Sequence, residues 1–295
     1  MYPALLRKVS GVVYDRERIQ TPDDDFLDLD WLRQSAERVV IISHGLEGNT
    51  SRAYMKGMAQ AFYNQNFDVL TWNFRGCSGE VNKQLRFYHS GATDDLDYVV
   101  EHAIQKGYKE IYLVAFSLGG NMTLKYIGEK DRRHEIKKAV VFSVPMDLHA
   151  SCLKISKPSN WLYSNRFLNS LKAKVIAKSR MRQELDVKDI HKLKTLIDFD
   201  DQYTAPLHGF MSAVDYYQRC SSLNFVESIK IPALIVNAQN DPFLSETCYP
   251  HRLLKTHPCV RFEVPGFGGH VGFAQFSKNG LYWSEERALS FITNS

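Results

Sequence analysis

Ser117 stands in a sequence context that can make a serine nucleophilic. The residues before it, 110–115 (EIYLVA), form an apolar run typical of a buried strand, and residues 119–128 have a helical pattern. A tight turn between a strand and a helix projects a serine hydroxyl group when small residues stand two positions before and after it. Ala115 and Gly119 meet this requirement, although glycine is usual at the first position. The spacing predicts acyl-transfer chemistry at Ser117, near the positive end of a helix dipole.

A serine hydroxyl group is a weak nucleophile near neutral pH and needs a base within hydrogen-bonding reach. Among ten histidines, His270 is the predicted base, because it follows the last predicted strand, residues 260–264, on a glycine-rich loop. The other histidines considered lie in weaker positions: beside a predicted helix (His251 and His257), in a middle helical segment (His208) and in an early loop (His89).

The acid that orients the base is predicted to be Asp241. It follows the predicted strand at residues 232–237, and acid and base come after the serine in that order when the nucleophile has a strand–turn–helix setting. Its carboxylate would hold the imidazole in the correct tautomer and stabilise the imidazolium that forms. The rival acid is Asp147, which follows the strand predicted at residues 138–144.

The turn at residues 43–48 (SHGLEG) is the expected second half of an oxyanion hole. It follows the first buried strand of the predicted parallel sheet, and Gly45 permits a close approach of the backbone. The predicted donors are the backbone N–H groups of Leu46 and Leu118. A structural role is expected for His44 rather than a role as general base.

The elements that must position these residues alternate between strand and helix. Continuous apolar runs at residues 38–43, 68–73, 110–115 and 138–144 are typical of strands buried on both faces, with helical patterns between them. This alternation predicts an α/β fold with a mostly parallel, doubly wound sheet. An antiparallel hairpin, with strands at residues 12–14 and 26–31, is expected before it.

The alternation stops between residues 147 and 229, where only helical patterns occur. This segment is predicted to be a helical cap inserted between the sixth and seventh strands of a single domain that spans residues 1–295. Residues 151–195 contain eleven Lys or Arg and three Asp or Glu residues. A basic cap can attract anionic substrates, rest on an anionic lipid surface, or simply be solvated. Its apolar side chains either line an acyl pocket or pack the cap onto the sheet: Trp161, Leu162, Tyr163, Phe167, Leu168 and Leu171.

With these features in place, the sequence resembles the YheT-like subfamily of α/β-hydrolases (AB hydrolase family 4). The resemblance rests on residues 44–48 (HGLEG), 73–80 (NFRGCSGE), 88–91 (YHSG), 117–122 (SLGGNM) and 204–209 (TAPLHG). It implies a carboxylic-ester hydrolase with a preference for short- to medium-chain acyl groups and the triad Ser117, Asp241 and His270. Structural roles are expected at residues 75–79, near the pocket, and at residues 88–91, as a cap of the following helix.

Composition narrows the function classes further. A net charge of +4 without a nucleic-acid-binding motif argues against nucleic acid as a partner. Five scattered cysteines indicate reduced thiols, and the first residues lack the pattern of a signal peptide, so a cytoplasmic location is expected. No cofactor or metal is expected, because zinc, P-loop and dinucleotide motifs are absent from the sequence.

The predicted function is hydrolysis of carboxylic esters through an acyl-enzyme intermediate. A thioesterase or an amidase would use the same three residues, and the sequence does not separate these reactions. A binding protein without activity is the remaining alternative, although such proteins usually lack a member of the triad. The oligomeric state is left open.

Overall fold

The computed structural model describes residues 7–275, 277 and 280–294. Within these residues one sheet contains eight strands: β1 (Asp15–Thr21), β2 (Asp25–Leu32), β3 (Arg38–Ser43), β4 (Asp68–Asn73), β5 (Glu110–Phe116), β6 (Ile136–Phe142), β7 (Ala233–Val236) and β8 (Val260–Glu263). Their spatial order is β1-β2-β4-β3-β5-β6-β7-β8. Strands β3 to β8 are parallel, and β1 and β2 are antiparallel additions at one edge.

The described residues form ten α-helices: α1 (Ala53–Tyr63), α2 (Thr93–Gln105), α3 (Leu118–Glu129), α4 (Leu148–Ile155), α5 (Trp161–Ser179), α6 (Leu196–Phe199), α7 (Ala205–Leu207), α8 (Ala213–Cys220), α9 (His251–Leu254) and α10 (Trp283–Thr293). Apolar side chains of α1 and α10 pack on one face of the sheet, and those of α2, α3 and α9 pack on the other. The predicted fold class, a doubly wound α/β-hydrolase sheet, is confirmed.

The first strand lies later in the chain than predicted. Residues 12–14, where a strand was predicted, are not in a strand. The first strand of the hairpin is β1, the charged segment Asp15–Thr21. Its arginines pair with carboxylates of β2: Arg16 Nε lies 2.7 Å from Asp30 Oδ1, and Arg18 Nε lies 2.7 Å from Asp28 Oδ1. The strand is at the sheet edge, where charged side chains discourage pairing with another chain.

Helices alone connect β6 to β7. Helices α4 to α8 share a hydrophobic cluster of their own, which is separate from the clusters on the two faces of the sheet. A π-helical turn, Asp200–Thr204, joins α6 to α7. The segment returns to the sheet layer at Ser222, whose backbone N–H donates to Asn121 Oδ1 of α3 at 2.9 Å. The carboxyl ends of the parallel strands therefore lie beneath helices α4 to α8, which we call the helical layer.

Among the described residues, no helix has both the length and the apolar character needed to cross a membrane. The five cysteines are free thiols, and four of them are buried.

Candidate active site

Ser117, His270 and Asp241 are connected by hydrogen bonds. The Nε2 atom of His270 lies 2.9 Å from Ser117 Oγ, and its Nδ1 atom lies 2.9 Å from Asp241 Oδ2. The Asp241 side chain is fully buried, and that of His270 is mostly buried. The structure thus brings the predicted nucleophile, base and acid together from three separate loops.

The turn at Ser117 has a strained backbone. Ser117 has φ 53° and ψ −120°, a conformation that residues with a Cβ atom rarely adopt. Its N–H donates to Phe142 O at 2.8 Å, which fixes the turn against β6. A Cβ atom at Gly119 would lie 2.4 Å from His44 O, so a glycine is needed there. Ala115 is fully buried in β5 and is accommodated between β3 and β6.

The loops that carry Asp241 and His270 are attached to each other by Asn240. Its Oδ1 atom accepts hydrogen bonds from the backbone N–H groups of Gly268 and Gly269 at 3.1 and 2.8 Å. The ring of Phe243 lies beside the imidazole, with 4.4 Å between ring centroids. The side chain of Asn240 therefore positions the loop of the base, and Phe243 shields the imidazole from water. Neither residue was predicted from the sequence, although both lie within two positions of the predicted acid.

The turn after β3 leaves the backbone N–H group of Leu46 free of any acceptor that the structure describes. The N–H of Gly45 donates to Tyr54 Oη at 3.1 Å, and that of Glu47 donates to Tyr88 Oη at 2.9 Å. The N–H of Gly48 donates to Gly45 O at 3.0 Å. Among the described residues, Leu46 N–H has no acceptor, and neither has the N–H of Leu118 at the start of α3. Both N–H groups belong to residues that line the same cavity as Ser117.

His44 is part of this turn and does not act on Ser117. Its Nδ1 atom donates to Gly45 O at 2.7 Å, and its Nε2 atom accepts from Phe74 N–H at 3.1 Å. Burial lowers the pKa of His44 to about 3, so the ring stays neutral at physiological pH. The geometry agrees with the structural role that the sequence indicates.

The other acid and base candidates are engaged elsewhere. Asp147 accepts a hydrogen bond from Ala150 N–H at 3.0 Å and caps α4. His257 Nδ1 accepts from two backbone N–H groups before and at the start of β8. His208 Nδ1 lies 2.6 Å from Thr204 O, and His89 packs against the His208 ring. His251 is exposed on α9.

A cavity of about 1010 Å³ opens at Ser117 and extends under the helical layer. Most of its wall is apolar, and four of the six apolar α5 side chains considered above, Leu162, Tyr163, Phe167 and Leu171, line it. Leu168 is buried in the core of the helical layer, whereas Trp161 is exposed. Within the described part of the chain, no group of three or more His, Cys, Asp or Glu side chains is arranged to hold a metal ion.

The matching family model and the related proteins indicate the same family. A family model described as "Serine aminopeptidase, S33" matches residues 34–258. The Escherichia coli (strain K12) protein named "Putative esterase YheT" is 31% identical over 302 residues, which cover 99% of this chain and 88% of that protein. Phospholipase ABHD3 of Bos taurus is 29% identical over 90% of this chain and 67% of its own length. The chain belongs to the YheT-like α/β-hydrolases.

Solved structures support the fold of this YheT-like hydrolase. The Pyrococcus furiosus esterase Pf2001 superposes with a TM-score of 0.62, covering 97% of this chain and 95% of that one. The two sequences are only 17% identical, so the likeness concerns the fold alone.

One motif that this YheT-like chain shares with its family holds the sheet and helices together. Arg75 is fully buried and pairs with Asp95 of α2 at 2.7 Å and with Asp25 of β2 at 2.9 Å. Asp23 is a third carboxylate partner at 2.8 Å, and a buried guanidinium group with three such partners fixes the loop after β4. Its role is structural, as expected, and it lies outside the cavity wall.

The motif at residues 88–91 differs from expectation. It does not cap α2 through a side chain, because the N-cap residue of that helix is Ala92. Instead, Tyr88 Oη donates to Glu47 Oε1 at 2.7 Å, and Ser90 O accepts from Asn121 Nδ2 at 3.1 Å. The motif therefore connects the turn after β3 with the helix that follows Ser117.

Proposed function

We propose that this enzyme hydrolyses carboxylic esters by two-step acyl transfer at Ser117. The observation that carries the proposal is the hydrogen-bonded series Asp241–His270–Ser117 at the floor of an apolar cavity. The free N–H groups of Leu46 and Leu118 supply the oxyanion hole. No other residue of the cavity wall is needed for the chemistry.

In the first step, Ser117 Oγ attacks the ester carbonyl carbon while His270 Nε2 takes the hydroxyl proton. Negative charge develops on the carbonyl oxygen, and the N–H groups of Leu46 and Leu118 stabilise it. The imidazolium of His270 is stabilised by the buried Asp241 carboxylate, which remains ionised. His270 then returns the proton to the leaving alkoxide, and the acyl-serine remains.

In the second step, a water molecule replaces the alcohol. His270 removes a proton from this water, the resulting hydroxide attacks the acyl-serine, and the second tetrahedral intermediate uses the same oxyanion donors. Its collapse returns the proton to Ser117 Oγ and releases the carboxylic acid. The cycle needs no group besides those of the chain and water.

The substrate class follows from the cavity. A volume of about 1010 Å³ with a mostly apolar wall suits a flexible acyl chain. Tyr163 and Phe167 of α5 contribute aromatic surface along this wall. We propose short- to medium-chain acyl groups. The relative named as an esterase supports the ester bond as the target, without reference to chain length.

The test compares p-nitrophenyl esters of increasing acyl length with a thioester and an anilide that carry the preferred acyl group. We expect the ester to be cleaved fastest, with an optimum at short to medium length. Ser117→Ala should abolish turnover, and Ser290→Ala, an exposed serine of α10, should be unaffected. Faster cleavage of the thioester or the anilide would contradict the proposal and indicate a thioesterase or an amidase instead.

A further inference from the structure

Two exposed apolar side chains stand at the mouth of the cavity, and a third is next to one of them in the chain. Phe267 is 87% exposed and Leu162 is 57% exposed, and both line the opening. Trp161, next to Leu162 at the start of α5, is 64% exposed. Large apolar side chains this exposed are costly in water unless another surface covers them.

These side chains belong to segments that are attached to the same loop. Asn160 Nδ2 donates to Pro242 O at 2.9 Å, which ties the start of α5 to the loop that contains Asp241. On the other side, Asn240 holds Gly268, the neighbour of Phe267. The segments that carry these three side chains are therefore both attached to the loop of Asp241.

Two exposed cations accompany the apolar side chains. Arg166 lies four residues after Leu162, on the same face of α5, and lines the cavity. Lys157 lies four residues before Trp161, at the N-cap of the 3-10 turn Pro158–Asn160. Neither cation forms an ion pair with any residue that the structure describes. We call Lys157, Trp161, Leu162, Arg166 and Phe267 the mouth rim.

Other lysines of the same helix have partners inside the protein. Lys174 Nζ lies 2.7 Å from Glu47 Oε1, and Lys178 Nζ donates to Asn82 Oδ1 at 2.7 Å. The carboxylates that line the cavity are engaged too: Glu47 by Lys174, and Asp200 by the hydroxyl groups of Thr204 and Tyr217. Neither of these acids forms an ion pair with Lys157 or Arg166 among the residues that the structure describes.

We propose that the mouth rim docks on an anionic lipid surface, so that the cavity opens toward the bilayer and receives its ester from it. Aromatic and aliphatic side chains enter the interface while Lys157 and Arg166 face the anionic headgroups. A second copy of this chain is a poorer occupant, because a symmetric contact between two mouth rims would bring four like charges into one interface. The source of substrate rests on the proposed ester hydrolysis, whereas the docking itself does not.

The test is flotation of the full chain with vesicles of phosphatidylcholine, alone or mixed with phosphatidylglycerol. We expect the protein to float with the mixed vesicles only, and less at high salt. Lys157→Glu should weaken binding roughly fivefold, and Trp161→Ser roughly tenfold. The matched controls are Lys109→Glu and Val13→Ser, both exposed and outside the mouth rim, and they should bind as the unchanged chain does.

The proposal is overturned if the unchanged chain does not float with mixed vesicles, or if the controls lose as much binding as the rim variants. Hydrolysis of a water-soluble ester is measured in parallel, and Ser117→Ala is floated as well. A chain that floats without hydrolysing contradicts only the proposed function. A chain that hydrolyses without floating contradicts only the docking.

Discussion

Lys174 of helix α5 binds Glu47, the residue that follows the proposed oxyanion donor Leu46, with 2.7 Å between Nζ and Oε1. Burial alone would lower the pKa of Lys174, but Cys77 and Glu47 raise it above its usual value, so the ammonium group stays charged. Tyr88 Oη donates to the same Glu47 oxygen. Helix α5 is thus attached directly to the turn that holds one of the two proposed oxyanion donors.

We predict that Lys174→Met lowers kcat about tenfold, because the turn around Leu46 loses its contact with helix α5. It also leaves a mostly buried carboxylate unpaired, so the free energy of unfolding should fall by roughly 2–4 kcal/mol. The double variant Glu47→Gln/Lys174→Met should recover much of the stability while kcat stays low. Kinetics and chemical denaturation of all variants measure both quantities.

Lys172→Met is the matched control for this contact. Lys172 lies on the same helix, but its Nζ donates to Leu193 O and not to the turn around Leu46. Its loss should therefore leave kcat unchanged. If kcat returns together with stability in the double variant, the Lys174–Glu47 pair has only a structural role and does not position the oxyanion donor.

Asn240→Ala should lower kcat about 10- to 100-fold with little change in KM. The substitution removes the acceptor for the N–H groups of Gly268 and Gly269 and lets the loop of His270 move away from Ser117. Asn240→Asp keeps an acceptor oxygen and should retain most of the rate. Gln239→Ala, at the exposed neighbouring residue, is the control. Equal rates for Asn240→Ala and the control would exclude a positioning role.

Gly119→Ala should impair both folding and activity. The added Cβ atom would lie 2.4 Å from the backbone oxygen of His44, so the turns after β3 and β5 must separate. We expect a loss of about 1–3 kcal/mol in stability, together with a lower kcat/KM. Gly266→Ala, where nothing lies within 4 Å of an added Cβ, should be tolerated. Thermal unfolding and ester kinetics of the two variants measure both effects. A Gly119→Ala variant with unchanged stability and kcat/KM would contradict this packing.

Acid should destabilise the fold through His44. The unfolded imidazole takes up a proton near its ordinary pKa of 6.5, whereas burial holds the folded pKa near 3. Between these values the unfolded state binds more protons, so stability decreases as the pH falls. By pH 5 the loss from His44 amounts to about 2 kcal/mol.

The difference between the wild type and His44→Gln isolates this contribution from other titrating groups. The stability advantage of the wild type over the variant should shrink by about 2 kcal/mol between pH 7 and pH 5. His134→Gln, at a highly exposed position, controls for the loss of an imidazole from the surface. A constant difference between wild type and His44→Gln would show that His44 does not titrate in this way.

Much of the fold could be predicted because strands buried on both faces leave continuous apolar runs, as β3 and β5 do. Ser117 and Asp241 were predictable for the same reason, since each follows such a run. His270 follows β8, an edge strand with charged side chains, and was predicted from its glycine-rich loop instead. β1 was misplaced because it is an edge strand whose charged side chains give no apolar pattern. Its stability comes partly from cross-strand ion pairs such as Arg18–Asp28, which one strand alone does not reveal.

Contacts between segments that are far apart in the chain could not be predicted from the sequence. Lys174 and Glu47 are 127 residues apart, and nothing in either local pattern indicates that they meet. The count of basic residues in the cap also overstated its free charge. Lys174 and Lys178 are held inside by specific acceptors, and burial lowers the pKa of Lys178 to about 7.

The most direct test of the central claim is intact-protein mass spectrometry after reaction with a fluorophosphonate ester, followed by peptide mapping. Activation of Ser117 by His270 and Asp241 predicts a single adduct on Ser117. We expect no adduct on Ser117→Ala and much slower labelling of His270→Ala. Labelling of another residue, or undiminished labelling of Ser117→Ala, would contradict the assignment of Ser117 as the nucleophile.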